Sequence, residues 1–222
     1  MRGFLNTIIE YEGVVIDVRP RYWAAHRAAL QAIGLAGPNQ EDFWRLVRTG
    51  SPDSAFVRQG KPHHATDYVR VRDERINSTD LMVVDVAQEG AGTNLRVLKQ
   101  MGACHLATLC ENRAGINTTL DRLDLWIHFD RKVALPREPQ RRMETILEMM
   151  GEHPSTLAVA SSVPFAYAAG QAGARVVGMK TGIAFPKNLR QVGVNLFFDS
   201  LDELTDALSR HDETLQRIGL IW

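Results

Sequence analysis

Two glutamates, Glu10 and Glu12, stand two residues apart in the stretch "TIIEYEGVVID" (residues 7–17), where a short apolar run meets acid, tyrosine, acid and glycine before a second apolar run ends at Asp17. A carboxylate pair this close supports acid–base or nucleophilic chemistry if it is well placed, and is otherwise a pair of loop acids. Other reactive groups are scattered. Ser161 and Ser162 follow the run "LAVA", but no G-x-S-x-G elbow surrounds them and no histidine is placed by the sequence to activate either. Cys110 stands beside Glu111 rather than a basic residue, a setting that does not lower a thiol pKa. His63 and His64 follow "GKP" and offer imidazoles to a metal, to a ligand or simply to solvent, whereas His26 falls on the apolar side of a helical pattern and reads as a buried histidine. Arg45, Arg48, Arg58, Lys61, Arg70, Arg72 and Arg75 gather in one region with Asp67, Asp73 and Glu74, which reads either as a solvated face or as a surface closing over an anionic ligand.

The elements that must position these groups show two textures. Tyr22, Trp23, His26, Ala29, Leu30 and Ile33 recur at helical spacing between Pro20, suited to a first turn, and Gly34, suited to a stop. From Gly34 to about Ser78 the pattern predicts two or three shorter helical pieces, punctuated by "AGPN", "TGSPD" and "QGKP". From Asn94 onward strands such as "CHLATLC", "TLAVAS", "ARVVGM" and "VNLFFD" alternate with helical runs. Alternation of this kind predicts a parallel sheet with helices on both faces, and such sheets carry their sites at the carboxyl ends of the strands. Glu10, Cys110 and Ser161 are all expected at such ends, converging with Glu12 in one pocket.

Composition narrows the partners. The 26 basic and 26 acidic residues cancel, so no nucleic-acid groove or anionic membrane surface is indicated and small ligands or proteins remain. Cys104 and Cys110 do not stand at a metal-ligand spacing, which argues against a disulfide frame or structural zinc and fits a reducing cytoplasm. No apolar run approaches the roughly 18 residues of a membrane span, and the N-terminus lacks a signal-peptide core.

With these residues in view, the sequence resembles the haloacid dehalogenase superfamily, in its phosphoglycolate-phosphatase and beta-phosphoglucomutase-like branch. "TIIEYEGVVIDVRPRYWAAHRAALQAIGL" looks like that family's opening strand, loop and first cap helix; "LAVASSVPFAYAAGQAGARVVGM" looks like its fourth motif with the helix and strand that follow; "TGIAFPKNLRQVGVNLFFDSLDEL" looks like its C-terminal end. The resemblance implies a doubly wound α/β core, residues 1–17 and 80–222, with an inserted helical cap, residues 18–79.

It also implies roles that this chain departs from. The family's D-x-D-G motif supplies a nucleophile and an acid–base group, and its two aspartates match Glu10 and Glu12. Each extra methylene moves a carboxylate out by about one bond, and misplacements near 1 Å cost roughly 100-fold in rate. The hydroxyl of the second motif matches Cys110, a weak donor. The lysine of the third matches Pro136, with Arg137 and Lys132 nearby but not in register. The magnesium-binding acid of the fourth matches Ser161, so that Glu10 and Ser161 are the metal positions and a poor pair for Mg2+. The resemblance therefore implies a pseudophosphatase without a cofactor, binding a small anionic ligand or a protein partner. The alternative is a weak or divergent phosphatase of small phosphorylated metabolites, with Glu10 as nucleophile and Mg2+ as cofactor.

Overall fold

The computed structural model describes residues 5–57, 61–153 and 155–220. The chain opens with β1 (Leu5–Glu10) and the short β2 (Ile16–Asp17). A helical stretch follows: α1 (Arg19–Ile33), α2 (Gln40–Thr49), a 3-10 turn at Asp53–Phe56, α3 (Pro62–Ile76) and α4 (Thr79–Met82). The chain then returns through β3 (Val86–Ala87), α5 (Ala91–Met101), β4 (Gly102–Thr108), α6 (Arg113–Arg122), a second 3-10 turn at Trp126–His128, and β5 (Arg131–Ala134). It ends with α7 (Pro139–Met150), β6 (Thr156–Ala160), α8 (Val163–Gln171), β7 (Arg175–Met179), α9 (Pro186–Arg190), β8 (Leu196–Phe198), α10 (Leu201–Ser209) and α11 (Glu213–Arg217).

Six strands form one parallel sheet in the order β5-β4-β1-β6-β7-β8, so β1 lies in the middle, with the order reversing on either side of it. The expected α/β class with a doubly wound sheet is what forms. β1 is buried along its whole length, as a parallel strand covered on both faces must be, and its side chains alternate between two cores. Leu5 and Ile9 join Leu95, Leu98 and Leu204 on the α5 and α10 side; Ile8 joins Ile146, Phe165 and Leu189 on the α7, α8 and α9 side. Each aliphatic side chain so enclosed contributes on the order of 1.5–3 kcal/mol.

The helices between β2 and β3 add no strand to this sheet. They enclose a small core of their own, in which the His26 ring stacks on Phe43 with centroids 4.3 Å apart while its Nδ1 meets the Tyr68 hydroxyl at 2.7 Å. The two chain crossings into this helical stretch pair as a β2–β3 antiparallel ribbon, Ile16 opposite Ala87 and Asp17 opposite Val86. Ribbon, β5 and α6 are absent from the sequence reading, each being short or lacking an apolar run. Trp126 is partly exposed, with the Lys132 ammonium over its ring.

Candidate functional site

The carboxyl ends of β1, β4 and β6 lie side by side, and the two glutamates of the opening motif turn in opposite directions from the first of them. Glu10, the last residue of β1, reaches toward the loop after β6. Its Oε2 accepts from the Ser161 amide at 2.6 Å and the Ser162 amide at 2.9 Å, and its Oε1 accepts from the Ser162 hydroxyl. That hydroxyl in turn caps α8 by accepting from the Phe165 amide. Glu12 reaches the other way: its Oε1 accepts from Thr108 Oγ1 at 2.6 Å and from the Cys110 amide at 3.2 Å, and its Oε2 from the Leu109 amide at 3.3 Å. Both side chains are buried, at 0% and 2% exposure, so these donors replace water rather than supplement it.

Between them the backbone turns sharply. Gly13 adopts φ +76°, and a Cβ there would lie 2.7 Å from Ser161 Oγ. Ser161 is fully buried and donates its hydroxyl to the Glu12 carbonyl at 2.5 Å. Glu10, Glu12, Ser161 and the backbone of Cys110 do converge at the strand ends, but on one another rather than on a cavity. Burial pushes the Glu10 carboxyl up to about 7; the Ser162 hydroxyl and the two amides pull it down, and Glu12 adds to the rise.

β4 ends at Thr108, two residues before Cys110, so Cys110 is not at the strand end as expected, and the hydroxyl that stands there is that of Thr108. Cys110 lies in the following loop, where its thiol donates to Asn77 Oδ1 at 3.1 Å and burial raises its pKa. Pro136 lies between β5 and α7 and offers only its carbonyl, to Arg142 Nε at 3.0 Å. Burial holds the Arg142 guanidinium below its ordinary pKa, against the opposing pull of the Glu10 charge. Of the two neighbouring bases, Arg137 pairs with Glu111 at 2.5 Å, and Lys132 donates to the Trp126 and Phe129 carbonyls.

A further charged pair, unread in the sequence, adjoins this cluster. Arg21 of α1 has 0% exposure; its Nε lies 3.2 Å from Asp85 Oδ1, itself 0% exposed, and its Nη1 donates to the Ile76 carbonyl at 3.3 Å. Asp85 also accepts from the Tyr11 hydroxyl at 3.3 Å. Its carboxyl is pushed up to about 6 by burial against the pull of Arg21 and Tyr11. Arg21 follows the first chain crossing and Asp85 precedes the end of the second, so the pair ties the root of the helical stretch to the core. A charged side chain inside a helical pattern gives no sign that it points inward, since arginines are mostly exposed.

The donor set does not suit Mg2+. Mg2+ takes near-octahedral oxygen ligation, usually anchored by one or two carboxylates. All four oxygens of Glu10 and Glu12 already accept hydrogen bonds, the Ser161 hydroxyl faces a backbone carbonyl, and no group of three or more His, Cys, Asp or Glu suited to a metal occurs among the described residues. His63 and His64 do not supply one: their rings meet edge to face, and His64 Nδ1 accepts from the Lys61 amide at the start of α3.

A cavity of about 380 Å³ opens between α1, α2, α3 and the loops after β4 and β5. Tyr22, Phe43, Phe56 and Leu109 give it an apolar wall, Asp53, Arg72 and Asp73 a charged one. Glu10, Glu12, Cys110 and Ser161 are not among its lining residues. The basic residues around it are engaged: Arg45 with Asp42, Arg70 with Glu74, Arg72 with Asp53 and Asp73, Arg75 with Asp80. Arg48 donates to the Lys180 carbonyl and stacks on Phe185. Arg58 lies outside the described residues.

Set against known proteins, this sheet order and helical insertion have many counterparts. A haloacid dehalogenase-like family hydrolase from Streptococcus pneumoniae superposes with a TM-score of 0.75 at 10% identity, over 93% of this chain and 98% of that one. The chain has the haloacid dehalogenase-like fold. The same fold is shared by a predicted phosphatase from Clostridium acetobutylicum, with a TM-score of 0.73 at 14% identity over 94% and 99% of the two chains. A predicted phosphoglycolate phosphatase from Haemophilus somnus gives 0.71 at 17% identity over 96% and 100%. No family model matches the sequence, and no curated protein does. The likeness thus lies in the haloacid dehalogenase-like architecture rather than in conserved stretches of sequence.

Proposed function

We propose that this chain is a non-catalytic protein on the haloacid dehalogenase-like fold, a pseudophosphatase that has kept the architecture and binds a ligand or protein partner without a metal cofactor. The observation that carries the reading is the closure of the two glutamates: each carboxylate is consumed by three donors from a neighbouring strand end or loop, and neither opens on the cavity. A carboxylate already fixed by three hydrogen bonds must lose them to attack phosphorus. The donors that would steady a developing oxyanion, the Thr108 hydroxyl and the Leu109 and Cys110 amides, are turned onto Glu12. The division into a core, residues 1–17 and 80–222, and a cap, residues 18–79, belongs to the same proposal, as does a cytoplasmic location; no described helix is long and apolar enough to cross a membrane.

The second reading, a weak phosphatase with Glu10 as nucleophile, has one observation in its favour: Glu10 ends the central strand. A carboxyl with a pKa of about 7 is partly protonated at neutrality, however, and a protonated acid does not attack. The deciding assay is Mg2+-dependent turnover of p-nitrophenyl phosphate by wild type, by Glu10→Ala and by the combined variant Glu10→Asp, Glu12→Asp, Pro136→Lys, Ser161→Asp. Background rates for wild type are expected. Wild-type turnover that vanishes in Glu10→Ala would establish the glutamate nucleophile instead.

A further inference from the structure

The cavity between the helical insertion and the core has a sign of charge opposite to the one its surroundings suggest. The region is rich in arginine, and a count of basic residues points to an anionic ligand. Pairing reverses this. In the charged wall Arg72 is gripped by two carboxylates: Nη1 meets Asp53 at 2.7 Å, while Nε and Nη2 meet Asp73 at 3.0 and 2.9 Å. Its guanidinium also lies over the Tyr68 ring, 5.4 Å from the centroid. One cation against two anions leaves this wall with one negative charge in excess. The remaining lining base, Arg137, is neutralised by Glu111 at 2.5 Å. The cavity is also lined by Phe43, Phe56 and Tyr22, which give it an apolar wall for the body of a ligand. Tyr22 stays a neutral phenol, its pKa pushed upward by burial.

We infer that this cavity binds a small organic cation, an amine carried on an aromatic or aliphatic body, and rejects phosphorylated and carboxylated compounds of the same size. The ammonium lies against Asp53 and Asp73, on the side not taken by Arg72, and the body lies on Phe43 and Phe56. A volume of about 380 Å³ suits such a ligand, since small-molecule sites span roughly 300–1,000 Å³. The inference rests on the reading of the chain as a binding protein and names the ligand class of its cavity.

Three probes built on a single benzene ring separate the charge types: tyramine, 3-(4-hydroxyphenyl)propionate and phenyl phosphate, each titrated calorimetrically into the full chain up to about 10 mM. Tyramine should bind and the two anions should not. Asp53→Asn keeps the Arg72–Asp73 pair while removing the excess charge, and should weaken tyramine about fivefold. Asp53→Asn with Asp73→Asn frees Arg72 and should reverse the preference toward phenyl phosphate, an outcome that damage to the fold does not produce. Phenyl phosphate binding to wild type at least as well as tyramine, no tyramine binding at all, or an unchanged tyramine affinity in folded Asp53→Asn would each overturn the inference. Calorimetry needs no turnover, so a failure here is distinct from a failure of the non-catalytic reading, which the phosphatase assay decides.

Discussion

The Thr108 hydroxyl donates to Glu12 Oε1 at 2.6 Å, joining the end of β4 to the loop that leaves β1. The contact depends on the length of a glutamate. With the Leu109 and Cys110 amides it makes Glu12 the cap of a buried loop, a role in which the extra methylene is an asset. Glu12→Asp withdraws the carboxylate by about one bond and leaves these donors short of their acceptor. Unmet buried donors cost about 1–3 kcal/mol, so urea unfolding should show a loss of that order. An aspartate variant as stable as wild type would mean that the loop relaxes to follow the shorter acid.

Glu10 sets a second expectation, one of pH. Its folded carboxyl, at about 7 against an ordinary 4.5, holds its proton more tightly than the unfolded one. Stability therefore falls as pH rises from 4.5 to about 7 and is level above that, with a total near 3 kcal/mol for this group. Asp85 slopes the same way up to about 6, so the wild-type curve alone does not isolate Glu10. Glu10→Gln does: its oxygen still accepts from the Ser161 and Ser162 amides, and its amide nitrogen donates to the Ser162 hydroxyl. Relative to wild type, the glutamine variant should gain about 2–3 kcal/mol between pH 5 and 8 in thermal or urea melts. A constant difference across that range would show that Glu10 carries no raised pKa.

How far the sequence led can be judged at these same residues. The short apolar runs of β1, β4 and β6 were legible because these strands are buried on both faces, and the helices after them because each buries one apolar face; Glu10 and Ser161 lie at strand ends, as the apolar runs suggested. Cys110 was misplaced because "CHLATLC" runs apolar past the true end of the strand, hiding Thr108 inside it. Arg21, Asp85 and Arg142 were invisible for another reason. Their roles depend on which way a charged side chain points in three dimensions, and a linear pattern defaults every such residue to solvent. The closure of the acid pair also lies beyond the sequence, since it is fixed by the loops after β4 and β6 rather than by the motif.

Arg21 and Asp85 lend themselves to a double-mutant cycle. Removing one partner of a buried pair strands the other charge and costs about 3–5 kcal/mol. Arg21→Met and Asp85→Leu should each be destabilised on that scale, whereas the double variant should recover most of the loss. Additive losses in the double variant, read from chemical denaturation, would show that the two residues act separately.

Ser161 provides the last test, because it asks whether the lost metal position remains available to an acid. The Ser161 side chain sits between Gly13 and Gly182: a Cβ on the first would lie 2.7 Å from its Oγ, and one on the second 2.6 Å from its Cβ. Its hydroxyl faces the Glu12 carbonyl at 2.5 Å, an acceptor that a hydroxyl satisfies and a carboxylate repels. The nearest acid, Glu10, already binds the Ser161 amide. Ser161→Ala removes one donor and should cost about 1–2 kcal/mol. Ser161→Asp places a negative group against a carbonyl in a space with no room for extra atoms, and should cost about 2–4 kcal/mol. In thermal melts the aspartate variant is therefore expected to unfold below the alanine variant. If instead the two melt together, the loop after β6 has room for a carboxylate, and the metal position would need only its acid restored.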